Sequence, residues 1–341
     1  MNSPTISVCV PTYNGSAFLA ETLACIAAQT FDDYEVLIVD DLSTDGTIAI
    51  AESYAANDAR VRVIRNTERA GSSARNANQC LRHARGVWIK YLFQDDLMAP
   101  TCLAQMLEAG KRGRLVVAWH NYLFAPDVDA GLRAWAEQLP KLPAVLPSPY
   151  ADRDAFSDAV LAHWGANFIG PTSSSFIHRD CFAEYGEFSA EIRTFPDYEY
   201  WIRVGNREGL SIVQEPLVTS RVHNASISGR IRSEAAEKKL QLELEPLLLL
   251  LNLARAPEYE NIRSRAPGQQ PPMDPERMIR DAAFDTRWRV GEIRYRSRSD
   301  ALLQQWDAFC ERHPTMRDVL RDIDATRSPW ARFKQSVKRL L

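Results

Sequence analysis

The sequence predicts an α/β protein: a doubly wound, mostly parallel sheet flanked by helices, with an α-helical C-terminal extension. Three observations predict it. Between Ile6 and Trp119, apolar runs of strand length alternate with helical patterns, the signature of βαβ units. Two of those runs end in paired acids, Asp40-Asp41 and Asp95-Asp96, and open α/β sheets bind ligands beyond the carboxyl ends of their strands. From Ser233 onward, strand patterns give way to helical ones.

The elements follow in order. Ile6–Val10 reads as a buried strand, and Ala17–Ala28 as a helix with apolar residues at Phe18, Leu19, Leu23 and Ile26. Val36–Val39 is a second strand, after which Ser43-Thr44-Asp45 can cap a helix over Thr47–Ala56. Val61–Ile64 is a third strand, and Ser72 or Ser73 can cap a helix reaching His83. Val87–Phe93 is a fourth strand, Pro100 opens a helix ending near Gly110, and Leu115–Trp119 is a fifth strand. Ala125–Pro149, interrupted by Pro126, Pro140, Pro143 and Pro147, reads as an irregular lid or binding loop with one helical piece near Leu132–Leu139. Phe168–Ile177 and Leu217–His223 read as further strands, with a helix over Tyr198–Arg207 between them. Ser233–Leu253 reads as helical, Pro257–Pro275 as a linker or surface loop, and further helices run to the C terminus. The expected division is 1–230 for the α/β domain and 231–341 for the helical extension.

Composition narrows the function. The chain of 341 residues is 45% hydrophobic and 25% charged, an ordinary globular balance. A net charge of −3 argues against a nucleic-acid partner, which calls for a basic stripe. Cys9, Cys25, Cys80, Cys102, Cys181 and Cys310 lie far apart without a CxxC pair, which suits reduced cytoplasmic thiols better than disulfides or zinc. Met1–Thr5 lacks a basic leader, and no apolar run approaches the ~20 residues of a spanning helix. The expected location is cytoplasmic.

Several groups could do chemistry. Asp40-Asp41 precede a turn, where a carboxylate can cap a helix or accept a hydrogen bond from a nucleobase or ribose. Asp95-Asp96 follow a nearly all-apolar strand, and adjacent acids repel unless a cation sits nearby. Hard oxygen ligands suit Mg²⁺ or Mn²⁺ shared with substrate phosphates, and a solvated turn is the plain alternative. Arg69-Ala70-Gly71-Ser72-Ser73-Ala74-Arg75 enters a helix, where arginines and a helix N-terminus suit anions, or simply form a capped helix. Asp197 stands at a helix start among Phe195, Tyr198 and Trp201; it can be a stabilised N-terminal acid or a general base beside a sugar platform. His223 follows a strand, a structural or a liganding histidine.

In their order, these pieces resemble the inverting, nucleotide-sugar-dependent family 2 glycosyltransferases of the GT-A fold. The resemblance covers about Ile6–Ser228 and is carried by SVCVPTYNG, VDDLSTDGT, NTERAGSSARN, FQDDLMAP, SSSFIHRDCF, DYEYWIRV and HNASIS. It implies that Pro11, Thr12 and Tyr13 line a base pocket and that Asp41 binds uracil or thymine. Arg75 and Asp95 would help hold the nucleotide. Asp95 and Asp96, with His223, would hold Mg²⁺ or Mn²⁺ against the diphosphate, where a metal neutralises leaving-group charge. Asp197 would take the proton of an acceptor hydroxyl as it attacks the anomeric carbon. Two positions depart from the common pattern: Phe93 stands where many relatives carry another acid, and Pro196 where many carry glutamate before the base.

The implied partners are a nucleoside-diphosphate sugar, UDP- or dTDP-linked, and a glycan or lipid-linked acceptor in cell-surface polysaccharide, lipopolysaccharide or exopolysaccharide synthesis. A second copy of the chain is a further candidate partner. Trp119, Trp164 and Asn167 are candidates for the acceptor side. Two readings compete: a nucleotidyltransferase, which shares the sheet but not the histidine and base motifs, and a degenerate sugar-nucleotide-binding or scaffold module, which Phe93 and Pro196 motivate. Ser328–Leu341 places Trp330, Phe333, Val337 and Leu340 near helical spacing with basic residues between, suited to an anionic membrane surface or to packing on the domain.

Overall fold

The structure, a computed structural model, describes residues 3–226, 239–297 and 301–326. The chain forms two compact units, Met1–Ser233 and Glu234–Leu341. In the first unit, β1 (Ile6–Thr12) and β2 (Tyr34–Asp40) are buried along their whole lengths. Continuous apolar runs of this kind belong in a parallel sheet covered on both faces. β1 pairs in parallel with β2 on one side, Val8 opposite Val36, and with β4 (Trp88–Tyr91) on the other, Val8 opposite Lys90. β3 (Val61–Arg65) extends β2, so the order β3-β2-β1-β4 reverses direction at β1. That reversal is the switch point at which open α/β sheets form a ligand crevice.

Helices α1 (Leu19–Ala27), α2 (Thr47–Ala55), α3 (Ser73–His83) and α4 (Cys102–Ala109) connect these strands. α3 begins as expected: the Ser72 hydroxyl caps it by accepting from the Arg75 N–H at 3.2 Å. The core packs Leu19, Leu23 and Ile26 of α1 against Val8, Val10, Val36 and Ile38 of the sheet.

Beyond β4 the sheet becomes mixed. A short β5 (Leu97–Met98) and β6 (Leu115–Phe124) are followed by α5 (Ala130–Gln138), α6 (Leu142–Val145), β7 (Tyr150–Ala151) and α7 (Arg153–Ala162). Then come β8 (Ser175–His178), α8 (Arg179–Tyr185), α9 (Pro196–Glu208) and β9 (Leu210–Val222). β8 runs antiparallel between β4 and β6, and β9 lies parallel to β6. The strand expected over Phe168–Ile177 is confined to β8. Gly170 turns the chain with φ of +117°, and Thr172–Ser174 forms a 3₁₀ turn. β6 and β9 both exceed their expected lengths, because each continues past the core along the other and alternates buried with open positions. Helices α7 and α8 were not anticipated.

The second unit is helical. Helices Lys239–Arg255, Pro275–Ser297, Ala301–Arg312 and Pro314–Thr326 bury Leu247, Leu251, Ile279, Ala283, Trp306, Phe309, Val319 and Ile323. Pro257–Pro275 is not a plain linker: it contains a helix, Glu260–Arg265, between two 3₁₀ turns, anchored by buried Tyr259, Ile262 and Ala266. No helix among the described residues is long and apolar enough to cross a membrane. The amphipathic stretch at 328–341 lies outside the described residues.

Candidate active site

At the ends of β1 and β2 the acid pair divides its labour. Asp40 is buried and structural, accepting from the Thr12 hydroxyl at 3.1 Å and the Ser43 N–H at 2.8 Å, so it pins the turn after β2 to β1. The Thr12 hydroxyl is thereby engaged inside the fold, and Pro11 is a buried strand residue. Asp41 faces the loop before α3. Its carboxylate accepts from Asn66 Nδ2 at 3.0 Å, Arg69 Nε at 3.1 Å, and the N–H groups of Ala70 and Gly71 at 2.5 and 3.2 Å. The same Arg69 lays its guanidinium 3.6 Å from the centre of the Tyr13 ring. A planar group thus already stacks on Tyr13 and bonds Asp41. Arg75 is exposed at the start of α3.

Gln94 couples this pocket to the second acid pair. Its amide brackets Tyr13, accepting from the backbone N–H at 2.8 Å and donating to the carbonyl at 3.0 Å. Gly15 allows this approach, because a Cβ there would fall 2.2 Å from Gln94 Oε1.

Asp95 and Asp96 again differ. Asp95 is half-buried, and its Oδ2 lies 3.0 Å from His223 Nε2. The His223 ring packs on Phe18, centroids 4.8 Å apart. Asp96 is buried and accepts from the Arg221 N–H at 2.9 Å and from the hydroxyls of Ser173 and Ser220. Burial first, then the Asp95 charge, push it up to about 7. Arg221 clasps the region: Nε donates to the Asp95 carbonyl at 3.0 Å, the guanidinium meets Glu21 at 2.6 Å, and it sits 4.7 Å from the Phe18 ring centre. Among the described residues no group of three or more His, Cys, Asp or Glu side chains is arranged to hold a metal. One carboxylate and one imidazole do converge, a donor set that fits a hard divalent ion taking its remaining ligands from substrate phosphates and water. Asp95 and His223 fit that role, while Asp96 is held by the fold.

Asp197 lies in the first turn of α9, which Pro196 opens. Proline suits that position because its missing N–H would have no helical partner. Asp197 is half-buried, with part of its surface open yet protein on most sides of the carboxylate. Burial pushes it up to about 6, while backbone N–H groups at Tyr198, 2.7 Å away, and Thr172 pull it back. Tyr122 of β6 faces this region: burial, then the charges of Asp197 and Asp96, push its phenol up to about 12. Trp119, Trp164 and Asn167 are half-buried, and Asn167 closes the Gly170 turn with two hydrogen bonds, to its N–H at 3.1 Å and its carbonyl at 3.2 Å.

Sequence reasoning missed Gln94, Ser173, Arg221 and Tyr122. Gln94 sits beside a motif acid and Arg221 two residues before the motif histidine, so proximity was a usable signal. Ser173 opens the SSSFIHRDCF motif, a signal that went unused, whereas Tyr122 gave none, since only the register of β6 and β9, Tyr122 opposite Ser220, brings it to the acids.

Residues 7–151 match the family model Glycosyl transferase family 2. A putative teichuronic acid biosynthesis glycosyltransferase, TuaG of Bacillus subtilis, is 33% identical over 105 residues, 31% of this chain and 41% of that protein. The chain therefore spans less than half of that relative's length. Solved structures share the fold. S. aureus TarS 1-349 in complex with UDP superposes with a TM-score of 0.57 at 17% identity, covering 98% of this chain and 91% of that one. The mannosyltransferase PcManGT of Pyrobaculum calidifontis, in complex with GDP-Man and Mn²⁺, gives 0.52 at 18% identity over 95% and 87%. Residues 7–151 thus resemble the family 2 glycosyltransferases, and the chain shares the GT-A fold of these solved structures.

Proposed function

We propose that this chain moves a sugar from a nucleoside-diphosphate sugar, UDP- or dTDP-linked, to an acceptor hydroxyl of a cell-surface polysaccharide with inversion at the anomeric carbon. The observation that carries the reading is Asp197. It is a half-buried carboxylate, raised to about 6 and steadied by the backbone N–H groups of Tyr198, Thr172 and Asp197 itself. At neutral pH such a group is ionised yet poorly solvated, the state suited to taking a proton from a hydroxyl. Tyr13 would stack on the base, and the acceptor-only carboxylate of Asp41 would bind a base N–H. Arg75 would contact the nucleotide phosphates. Asp95 and His223 would hold Mg²⁺ or Mn²⁺, which supplies charge neutralisation at the leaving diphosphate. The polysaccharide acceptor is supported by the TuaG relationship, and the donor class by the complexes of the structural neighbours.

The test is Asp197→Asn. Transfer should fall by about 10²–10⁴-fold, the usual contribution of a general base, while binding of UDP with Mn²⁺ persists. Retained transfer, or loss of both activities, refutes the role. Phe93 and Pro196, which stand where many relatives carry acids, favour the second reading, a nucleotide-binding module without transfer. In that case neither donor hydrolysis nor transfer would accompany nucleotide binding.

A further inference from the structure

A lysine lies under the site with no role in the chemistry so far. Lys90 sits on β4 between Val8 of β1 and Phe176 of β8, with 0% of its surface exposed. Burying an ammonium costs several kcal/mol unless it is paired. Its hydrogen-bond partners are two carbonyl oxygens: Ser173, in a short contact, and Ser175 at 3.4 Å. An apolar residue would serve the core here at lower cost, so the charge points to what it holds.

What it holds is the 3₁₀ turn Thr172–Ser174. The Ser173 hydroxyl accepts from the Phe93 N–H at 3.0 Å and bonds Asp96. The turn also meets α9: Trp201 Nε1, one helical turn beyond Asp197, donates to the Gly170 carbonyl at 3.0 Å, and the Thr172 N–H faces the Asp197 carboxylate and favours its charged form. Ser175 Oγ closes the turn on the Thr172 carbonyl at 2.7 Å. Two consecutive residues, Thr172 and Ser173, therefore touch the donor-side acid loop, the acceptor-side base and the lysine beneath.

We propose that Lys90 is a positioning residue: by drawing the Ser173 carbonyl under the sheet it fixes the Thr172–Ser174 turn, and with it the placement of Asp197 relative to the Asp95-Asp96 loop. The proposal rests on the glycosyl-transfer reading. A lysine that only filled space would affect stability and leave the Asp197 carboxylate as it is. A lysine that sets the turn controls whether the Thr172 N–H reaches that carboxylate, and losing the bond disfavours the charged form. The titratable group that faces Asp197 is the Tyr122 phenol of β6, which titrates far above the window concerned.

The experiment is a ¹³C-carboxyl NMR titration of Asp197, assigned with Asp197→Asn, in the full chain and in Lys90→Met, which keeps length and removes charge. The Asp197 midpoint should rise by about half a unit or more in Lys90→Met. An unchanged midpoint in the folded variant overturns the proposal. Should Lys90→Met fail to fold, Lys90→Gln, an uncharged donor on a shorter stem, is read by the same criterion. The titration needs no turnover. A wild-type chain inactive toward every donor would sink the transfer reading while this measurement still decides what Lys90 does.

Discussion

Arg69 stacks on Tyr13 and bonds Asp41, the two groups proposed to take the nucleobase, and on that proposal its removal should tighten nucleotide binding. The guanidinium lies 3.6 Å from the Tyr13 ring centre, and its Nε is 3.1 Å from Asp41 Oδ2. A cation over an exposed ring contributes about 0.5–1 kcal/mol. Arg69 is 45% exposed, so its pairing with Asp41 is screened and adds no more than about 1 kcal/mol. Together the self-contact stabilises the closed slot by about 0.5–2 kcal/mol. At about 1.4 kcal/mol per tenfold this is a two- to thirtyfold bias, and apparent affinity is reduced by the fraction of open slots. Calorimetric titration of UDP with Mn²⁺ into Arg69→Ala, at fixed salt, should give a dissociation constant about two- to thirtyfold below wild type. Weaker binding would refute the reasoning. It would mean that Arg69 swings onto the diphosphate and that its stacking on Tyr13 does not compete.

Two further outcomes follow from the acids. Asp197 is raised from 3.8 to about 6, so its ionisation in the folded chain is disfavoured. Its stabilising contribution is complete below pH ~4 and is lost as pH rises through about 6, a cost on the order of 3 kcal/mol at pH 8. Asp197→Asn should therefore melt higher than wild type at pH 8 and close to it at pH 4, whereas a pH-independent difference contradicts the assignment. The wild-type transfer rate should climb through the same window, with its acid limb near 6. For the metal, His223→Ala should raise the half-saturating Mn²⁺ concentration by about tenfold or more, since even indirect partners of a metal site matter that much. An unchanged Mn²⁺ requirement would remove His223 from the site.

The parallel half of the sheet was legible because its strands are continuous apolar runs whose ends carry turn residues. β1, β2 and β3 needed only periodicity and length. The second half was less legible because β6 and β9 are half-open ribbons that borrow burial from each other, so their sequences do not read as buried runs. The loop at Phe168–Ser174 was apolar and β-branched enough to read as a strand, and only Gly170 with its +117° φ hinted at a turn. Of the site, the acids and the histidine could be named from motifs. Which member of each pair is structural could not, because that depends on partners far along the chain: Thr12 for Asp40, and Ser173 and Arg221 for Asp96.

The two departures from the family pattern become intelligible on these contacts. Phe93 lacks an acid side chain, but its backbone N–H anchors the Ser173 hydroxyl, which in turn bonds Asp96. The loop is thus shaped by main-chain and hydroxyl contacts, and the proposed metal role falls to Asp95 and its 3.0 Å partner His223. Pro196 leaves no acid directly before Asp197, the proposed base, and opens α9 with the φ that its first turn requires. Without a neighbouring carboxylate to raise its basicity by repulsion, Asp197 relies on burial for the same end, and burial is the cause that lifts it to about 6. A base tuned by desolvation is sensitive to the packing around it. That makes the Thr172 N–H, and whatever holds the Thr172–Ser174 turn in place, as important to its proton affinity as any charge.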